Sequence, residues 1–355
     1  MKYSVLEKNL MAKINDHLTD VAPGVLVRSY QNGRLICDIA VGTTYPYYDF
    51  ASLTKIIFTL QLIQLGYQDK KIILENPVQA HLPWFQNGRV LIRDLLSHTS
   101  GLAWWKPFYK TIAEKKSSAE KKAEMKRLIE QEVLSQDQSK SVYSDLDFFV
   151  LTFLLEEIYQ KSIEDLWGDC HRLFYEGTTL NFHQENKPIY RKELYAPTEE
   201  CPWRRRLIQG EVHDENAWSL GGLSTHAGLF GSIDDLSWFS LLLRSQLLGI
   251  ARYQVKQKTA QYFAQRTIPV EVGDWAMGYM MPTKGVSSAG QYFSPHSIGH
   301  TGFTGTSIWY DPKQDLSVMI LSNRVLYGRE NDRFKKLRPQ IHDWLVEGLK
   351  KSSIM

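Results

Sequence analysis

Ser52 and Lys55 stand three residues apart in the stretch ASLTK, directly before the apolar run IIFTLQLIQLGYQ. If a helix begins here, positions i and i+3 lie on one face, so the amine can reach the hydroxyl. In a sheltered place, loss of solvent lowers the pKa of a lysine toward neutrality and lets it accept a proton. The N-terminus of a helix also favours negative charge near the serine. The pair is therefore either an activated nucleophile or a capping serine beside a surface lysine.

The spacing alone does not decide between these two interpretations. Ser118 and Lys121 have the same spacing in SAEK, but they lie in a charged segment that predicts a solvent-facing helix. Ser52 differs because an apolar helix follows it, which predicts a sheltered position. Other segments of the chain must therefore supply the rest of any site.

Two later segments could contribute such groups. SVYSDLDFF places Tyr143 and Asp145 on a turn before an apolar helix, which by itself indicates a helix cap. GHTGFTGTSIWYD places His300, Thr301 and Gly302 just ahead of a strand, which by itself indicates a strand-entry turn. The small residues of this second segment would let a substrate backbone lie against the sheet edge.

The elements that must position these residues follow from the hydrophobic pattern. Two alternating runs on either side of QNGR predict a hairpin, because Asn-Gly tolerates the positive φ of a tight turn. A second hairpin is predicted in TSIWYDPKQDLSVMILSN, around an Asp-Pro turn. Helices are predicted over residues 5–18, from Ser52 to about 66, in VLIRDLLSHTSGL, over 111–134, in DLDFFVLTFLLEEIYQ, after Ser232 and in RFKKLRPQIHDWLVEGLKK.

Strands at both ends of the chain and helices in the middle predict an α+β fold. We expect a mostly antiparallel sheet made by both termini and flanked by helices, with an inserted all-helical lobe. The sheet domain would comprise residues 1–60 and 225–355, and the helical domain residues 61–224. The active site would lie between the two domains.

Together and in this order, the three segments resemble the active-site set of the penicillin-recognising serine hydrolases. In that superfamily an S-x-x-K motif is followed by a Tyr-x-Asn element and then by a Lys-Thr-Gly box on a strand. LLSHTSGL (95–102), HDENAWSLGGLSTHAGLFGSIDDL (213–236) and GHTGFTGTSIWYDP are typical of the class C β-lactamase-like branch. That branch includes carboxypeptidase-type penicillin-binding proteins and esterases. The resemblance extends from about residue 25 to 325 and rests on five ordered segments.

The resemblance implies a serine hydrolase that acts through an acyl-enzyme on an amide or ester, without a metal or another cofactor. Its activity would be that of a D-alanyl-D-alanine carboxypeptidase, a β-lactamase-like enzyme or an esterase. Ser52 would attack a carbonyl group, Lys55 would accept its proton, and Tyr143 would relay the proton to the leaving group. The backbone N–H groups of Ser52 and Phe303 would form the oxyanion hole.

Two residues depart from the commonest pattern of this superfamily. His300 replaces a lysine, and Asp145 replaces an asparagine. The box His300-Thr301-Gly302 would still hold a substrate carboxylate or carbonyl, and Asp145 would shape the pocket beside the lysine. An aspartate cannot donate an amide hydrogen bond, and a histidine carries a full charge only when protonated. An alternative is therefore a catalytically weak or inactive member that serves as a binding or scaffold module.

The composition excludes several other classes of protein. The 355 residues include 43% hydrophobic and 12% aromatic residues, enough for a substantial interior. A net charge of +3 gives no electrostatic case for nucleic acid, although WRRR (203–206) is a local basic group. Cys37, Cys170 and Cys201 show neither a disulfide framework nor the paired spacing of a zinc site. We therefore expect a small-molecule or peptide substrate and no nucleic-acid partner.

The same patterns bear on location. No stretch approaches the ~18 consecutive apolar residues of a membrane span. The N-terminal MKYSVLEKNLMAKINDHL lacks the continuous apolar segment of an export signal. The expected location is therefore cytoplasmic, or periplasmic if a leader has been removed.

Several other side chains have both a structural and a functional interpretation. We expect His98 in SHTSG to fix a turn, and Asp214 and His226 to pack and cap at the lobe junction. His213 with Asp214 and His226 could in principle ligate a metal, but no metal-binding spacing is present, so none is expected. Four aromatic residues either line the substrate cleft or pack the lobe interface: Trp104, Trp105, Phe108 and Tyr109.

Overall fold

The computed structural model describes residues 4–135, 139–250 and 254–352. The helices are α1 (Val5–Leu18), α2 (Leu60–Gln68), α3 (Ile92–Leu96), α4 (Tyr109–Ile112), α5 (Ser118–Glu130), α6 (Asp145–Tyr159), α7 (Ile163–Phe174), α8 (Glu215–Ser219), α9 (Ile233–Leu248), α10 (Gln257–Phe263) and α11 (Arg333–Ser352). The strands are β1 (Gly24–Gln31), β2 (Arg34–Gly42), β3 (Tyr48–Asp49), β4 (Asn181–Phe182), β5 (Glu200–Cys201), β6 (Arg206–Leu207), β7 (Leu229–Gly231), β8 (Ile298–Thr301), β9 (Ser307–Asp311) and β10 (Leu316–Ser322). A π-helical segment, Lys55–Thr59, precedes α2, and short 3-10 turns lie at Val78–Ala80, Gln184–Asn186, Lys192–Leu194 and Arg324–Tyr327.

The main sheet is built from both ends of the chain. Its five strands follow the order β2-β1-β10-β9-β8, and every neighbouring pair is antiparallel. The β1–β2 hairpin forms at the predicted turn, where Asn32 and Gly33 both have positive φ. In the centre of the sheet Val27 lies opposite Ile320, so the first strand pairs with the last.

Strand β10 is buried on both faces of this sheet. Because side chains alternate along a strand, Val318 and Ile320 enter one core, and Met319 and Leu321 enter the other. A strand covered on both sides needs apolar residues at every position rather than at alternate ones. This explains the continuous apolar run SVMIL.

The terminal helices α1 and α11 pack together against one face of the sheet. Helix α1 begins at a capping box, in which Glu7 N–H donates to Ser4 Oγ at 3.2 Å and Ser4 N–H donates to the Glu7 carboxylate at 2.7 Å. Helix α11 contributes an apolar stripe that includes Phe334 and Ile341. The predicted terminal helices are both present.

The other face of the sheet is covered by α9, and a second core continues from there into the remaining helices. Helix α6 is central to this core, because every residue from 146 to 155 is buried. The predicted single helix over 111–134 is wrong, since the structure has α4 and α5 there. The first ends at Ile112, and Ser117 starts the second, as its hydroxyl accepts from Glu120 N–H at 3.2 Å.

This architecture confirms the predicted α+β fold with a mostly antiparallel sheet flanked by helices. The proposed domain boundaries near residues 60 and 224 stay a prediction, as does the cellular location. Across the described ranges, none of the helices combines the length and apolar character needed to cross a bilayer.

The sheet core generates a stability prediction. Ile320→Ala removes a fully buried side chain from the central strand, and we expect a loss of about 2–5 kcal/mol in the free energy of unfolding. Leu35→Ala on edge strand β2 is the matched control, because Leu35 is 52% exposed and its truncation should cost about 0.5 kcal/mol or less. Urea unfolding followed by circular dichroism measures both. Equal losses in the two variants would contradict this placement of the core.

Candidate active site

Ser52 lies on a tight turn that follows strand β3. The preceding residue, Ala51, has a positive φ of 48°, a conformation that costs a non-glycine residue about 1–3 kcal/mol. Two hydrogen bonds hold it there. Ala51 N–H donates to Asp49 Oδ1 at 2.8 Å, and the Thr54 hydroxyl donates to the Ala51 carbonyl at 2.6 Å. The strained turn therefore sets the direction of the Ser52 side chain.

Lys55 begins the helical segment and is fully buried. Its Nζ lies 3.1 Å from Ser52 Oγ, 2.6 Å from Asp145 Oδ1 and 3.0 Å from the His226 carbonyl oxygen. The predicted contact between the amine and the Ser52 hydroxyl is therefore present. An ammonium has three N–H donors, and three oxygens surround this one.

The protonation of Lys55 differs from the expectation. Burial by itself lowers the pKa of this amine, but the adjacent Asp145 carboxylate and the Tyr143 phenol together outweigh that effect, so the pKa is raised. The predicted shift toward neutrality is wrong because it left out Asp145, which lies 90 residues away in the chain. Lys55 is therefore an ammonium in the resting site.

Tyr143 contacts Ser52 as well. Its hydroxyl oxygen lies 2.7 Å from Ser52 Oγ, and burial raises the pKa of the phenol to about 12. Ser144 is the N-cap of α6, since its hydroxyl accepts from Asp147 N–H at 3.2 Å. The helix cap that the local sequence indicated is therefore Ser144, and neither Tyr143 nor Asp145. Tyr143 lies in the loop before the helix, and Asp145 is the first residue of the helix.

His300 and Thr301 are the last two residues of strand β8, rather than residues ahead of a strand as predicted. The His300 ring is buried, and its Nδ1 lies 2.9 Å from the Thr301 carbonyl oxygen. Burial, with a smaller effect from the charge of Lys55, lowers the pKa of His300 to about 3. His300 is therefore neutral, so it does not supply the positive charge of the lysine that is usual at this position.

Gly302 and Phe303 follow this strand. A Cβ atom on Gly302 would lie 2.0 Å from Thr306 Oγ1 and 2.6 Å from the Phe50 carbonyl oxygen, so only glycine fits. Within the described ranges, the backbone N–H groups of Ser52 and Phe303 donate no hydrogen bond to the protein. Both groups are therefore available to a ligand.

A cavity of about 280 Å³ contains the Ser52 side chain. It brings together most of the predicted residues with groups from the end of the chain. Its lining consists of Ser52, Tyr143, Trp275, Met280, His300, Thr301, Gly302, Phe303, Arg324, Lys335 and Arg338. A larger groove of about 830 Å³ lies between residues 282–295 and α11, but it does not include Ser52. The smaller cavity is the candidate active site because it holds the reactive hydroxyl.

Several of its residues were missed from the sequence. Trp275 stacks on Tyr143 with ring centroids 5.7 Å apart, and Arg324 and Arg338 also line the cavity. The segments around Trp275 and Arg324 have no motif that marks them. Arg338 could have been found, because helical periodicity places it on the buried face of α11, between Phe334 and Ile341.

His98, Asp214 and His226 make the structural contacts that we expected of them. His98 Nδ1 accepts from Ser144 N–H at 3.2 Å and lies 2.8 Å from Asp147 Oδ2. Asp214 caps α8 and also contacts the His226 ring at 2.9 Å. His226 also has a contact that the sequence did not indicate, because its backbone carbonyl accepts a hydrogen bond from Lys55 Nζ.

Two clusters in the described ranges have ligand atoms close enough together to hold a metal ion, and the grouping of His213 with Asp214 and His226, from which no metal site was expected, is neither of them. The first cluster is Asp145, Asp214 and His226, in which Asp145 pairs with Lys55 and Asp214 pairs with His226. The second is Glu199, Cys201 and Glu215, in which both glutamates pair with Arg329. Their charges are therefore balanced by the protein itself.

The four aromatic residues after the SHTSG turn lie outside the cavity lining. Phe108 is buried against Phe149 with ring centroids 6.2 Å apart, and Tyr109 contacts Trp203 at 4.5 Å. Trp104 is 61% exposed. Phe108 and Tyr109 therefore pack against other aromatic residues, and they do not line the candidate active site.

Comparison with known proteins identifies the family of this chain. Residues 7–338 match the family model described as Beta-lactamase. A relative from Salmonella agona (strain SL483), whose name provisionally identifies it as a D-alanyl-D-alanine carboxypeptidase, is 29% identical over 351 residues. The aligned region covers 89% of this chain and 78% of the relative.

Solved structures share the fold at low sequence identity. The D-amino acid amidase from Ochrobactrum anthropi SV3, complexed with L-phenylalanine amide, has a TM-score of 0.71 at 16% identity, over 99% of this chain and 100% of that one. EstCE1, described as a hydrolase with promiscuous acyltransferase activity, has a TM-score of 0.69 at 18% identity, over 95% and 98%. These similarities confirm the fold.

The resemblance inferred from five short segments is thus confirmed by a match over most of the chain. Since the family model covers residues 7–338 of 355, this chain belongs to the beta-lactamase family and is a serine hydrolase.

Proposed function

We propose that the chain cleaves an amide or ester through an acyl-enzyme on Ser52. The proposal rests on one observation: Ser52 Oγ lies within hydrogen-bond distance of both Lys55 Nζ, at 3.1 Å, and the Tyr143 hydroxyl, at 2.7 Å. One neighbour can take the serine proton while the other serves the leaving group. Lys55 would accept the proton of Ser52, and Tyr143 would protonate the leaving group in the same turnover.

The first step moves the serine proton. The form that reacts has Lys55 as the neutral amine, which accepts the proton of Ser52, while Asp145 Oδ1, 2.6 Å away, stabilises the ammonium that forms. The serine oxygen bonds to the substrate carbonyl carbon, and the carbonyl electron pair moves onto the carbonyl oxygen. The serine proton is then held by the pair of Lys55 and Asp145, so Asp145 does more than shape the pocket.

The oxyanion formed in this step needs hydrogen-bond donors. The free N–H groups of Ser52 and Phe303 supply them, and the loss of one such donor costs about 3 kcal/mol in the transition state. Gly302 supports this arrangement, because its lack of a side chain lets the segment before Phe303 approach the Phe50 backbone.

Collapse of the intermediate breaks the bond between the carbonyl carbon and the leaving group. Tyr143 gives its phenolic proton to the departing nitrogen or oxygen, and the proton held by Lys55 and Asp145 restores the phenol. Water then adds to the acyl-enzyme, the bond to the serine oxygen breaks, and Ser52 regains a proton. The products are a carboxylic acid and an amine or alcohol.

Peptides that end in D-alanine are the first substrates to test. The Salmonella relative is named for D-alanyl-D-alanine carboxypeptidase activity. Two structural neighbours are described as a D-amino acid amidase and as a D-stereospecific amidohydrolase from Streptomyces sp.. We therefore propose an acyl group derived from a D-amino acid.

A second candidate is a binding protein with little turnover. The neutral His300 and the acidic Asp145 favour it, since each replaces the residue that is usual in the superfamily. Ser52, Lys55 and Tyr143 are nevertheless in mutual contact, and this contact favours the enzyme.

The nucleophile is tested by covalent labelling. Ser52→Ala should abolish labelling by a fluorescent penicillin or fluorophosphonate probe and lower ester turnover by about a thousandfold or more, because no acyl-enzyme can form. Ser118→Ala is the matched control, since Ser118 has the same S-x-x-K spacing on exposed helix α5. Gel fluorescence and intact mass report the adduct. Equal labelling of wild type and Ser52→Ala would refute the proposal, and a protein unlabelled in every form would favour the binding module.

The role of Asp145 is tested by the pH dependence of kcat/KM. The amine must be neutral to act as a base, so activity rises with pH through the Lys55 pKa. Asp145→Asn removes the charge that raises this pKa but leaves the burial that lowers it. The rising limb should therefore move to lower pH by about 1–3 units.

The matched control for this variant is Asp169→Asn, which breaks an ion pair of the same 2.6 Å length with Lys161 on the surface. It should leave the profile in place. A rising limb that stays fixed in Asp145→Asn, in a protein with an unchanged melting temperature, would contradict the proposed coupling between Asp145 and Lys55.

A further inference from the structure

Asp49 is a buried carboxylate near the candidate active site that takes no part in the proposed proton transfers. It is the last residue of strand β3 and is 2% exposed. Its Oδ1 accepts from Ala51 N–H at 2.8 Å, and its Oδ2 accepts from His213 N–H at 2.7 Å. Burial raises the pKa of the Asp49 carboxyl, and the two N–H donors oppose this rise. Because a buried carboxylate is costly, these two contacts need an explanation.

The first contact controls the turn that carries the nucleophile. Ala51 has a positive φ and immediately precedes Ser52. The N–H groups of Ala51 and Ser52 belong to adjacent peptide units, so a hydrogen bond that fixes the first also limits the direction of the second. Ser52 N–H is one of the two groups available to the oxyanion.

The second contact fixes a residue that lies against the other oxyanion donor. His213 is 4% exposed, and its ring stacks on the Phe303 ring with centroids 5.5 Å apart and an interplanar angle of 23°. Its backbone N–H is the group that donates to Asp49. One oxygen of the carboxylate therefore holds the turn of Ser52, and the other holds the residue that supports Phe303.

The backbone of Asp49 also anchors the loop 302–306, which contains the second oxyanion donor. The Thr304 hydroxyl donates to the Asp49 carbonyl at 2.8 Å, and the Thr306 hydroxyl donates to the Phe50 carbonyl at 3.1 Å. The loop is thus tied to the same short segment that leads into the nucleophile turn.

We infer that Asp49 is a positioning residue, which fixes the N–H groups of Ser52 and Phe303 relative to each other for the oxyanion. It does not line the cavity, so it acts through the turn, through His213 and through the loop 302–306. Donors held in place stabilise a transition state because they need not reorient as charge develops. The inference rests on the proposed function, since it assigns the residue that maintains its oxyanion hole.

Asp311 makes the same kind of contacts at a place outside the cavity. It is fully buried at the end of β9, and its carboxylate accepts from Lys313 N–H at 2.9 Å and from Ser294 N–H at 2.8 Å. Like Asp49, it therefore binds one N–H two residues ahead and another from a different segment. Neither Asp311 nor these two partners line the cavity, so Asp311 is the matched control.

The kinetic test compares Asp49→Asn with Asp311→Asn in the hydrolysis of p-nitrophenyl acetate. An amide has one acceptor oxygen, and its NH2 group would face one of the two N–H donors. Asp49→Asn should lower kcat/KM by about tenfold to a hundredfold, because displaced donors stabilise the oxyanion less well. Asp311→Asn should keep kcat/KM within about twofold, even if its melting temperature falls as far.

Inhibition by phenylboronic acid is a readout that a merely structural role would not change. The boron bonds to the Ser52 oxygen, the serine proton passes to Lys55, and an oxygen on the resulting tetrahedral anion takes the place of the oxyanion. The inhibition constant should rise in Asp49→Asn by the factor by which kcat/KM falls, and it should stay at the wild-type value in Asp311→Asn. Equal changes in the two variants, or no change in a folded Asp49→Asn protein, would overturn the inference.

A milder variant keeps the test valid if Asp49→Asn does not fold. Thr304→Val removes the hydroxyl that donates to the Asp49 carbonyl and keeps the side-chain shape. It should weaken both kcat/KM and boronate binding by about threefold to tenfold. Thr178→Val is its control, because the Thr178 hydroxyl donates at 2.7 Å to the Tyr175 carbonyl, outside the cavity. Equal effects of the two valine variants would contradict the role of Asp49.

Hydrogen exchange separates this inference from the catalytic proposal. Peptides that contain Ala51, His213 and the loop 302–306 should exchange faster in Asp49→Asn and at the wild-type rate in Asp311→Asn. Faster exchange in all three would uphold the coupling through Asp49 even if Ser52 is not labelled and wild type hydrolyses nothing. Unchanged exchange in the loop 302–306, in a protein whose Ser52 is labelled, would overturn the coupling and leave the nucleophile in place.

Discussion

Lys55 carries its amine into a region from which solvent is excluded, where the neighbouring Ser52 and two segments distant in the chain each bring an oxygen atom to its Nζ. A buried ammonium is costly unless its donors are satisfied, so the turn at Ser52, the start of α6 and the segment at His226 must all be in place before the cation is tolerated. The same contacts that satisfy the charge also align Ser52 with its proton acceptor. The contacts that stabilise the buried charge of Lys55 are therefore the same contacts that position Ser52 for the reaction.

Charge in the cavity is divided between two places. In one place the ammonium of Lys55 is balanced by Asp145, so this pair is close to neutral overall. Elsewhere in the cavity wall Arg324 and Arg338 form no salt bridge within the described ranges, and His300 is neutral.

The fold was largely predictable because its elements have strong local signals. The Asn32-Gly33 turn, the apolar stretch of α6 and the continuous apolar strand β10 each have a pattern with one physical meaning. The boundary errors arose where a side chain competes with a regular pattern. Helix α4 ends at Ile112, and Ser117 caps a new helix, so one predicted helix becomes two. The strand assignment of His300 depends on its pairing with Ile308 across a turn of small residues, and the composition of that turn concealed the strand before it.

The sequence by itself determined which residue types are available for chemistry, their order along the chain and the family to which they belong, because ordered short motifs survive when overall identity is low. Only the tertiary structure decided the charge states and the remaining partners. The pKa of Lys55 depends on a carboxylate 90 residues away, and the two buried arginines become neighbours of Ser52 only when the last helix folds back onto the sheet. Electrostatic interactions depend on distance in space, and sequence separation carries no information about that distance.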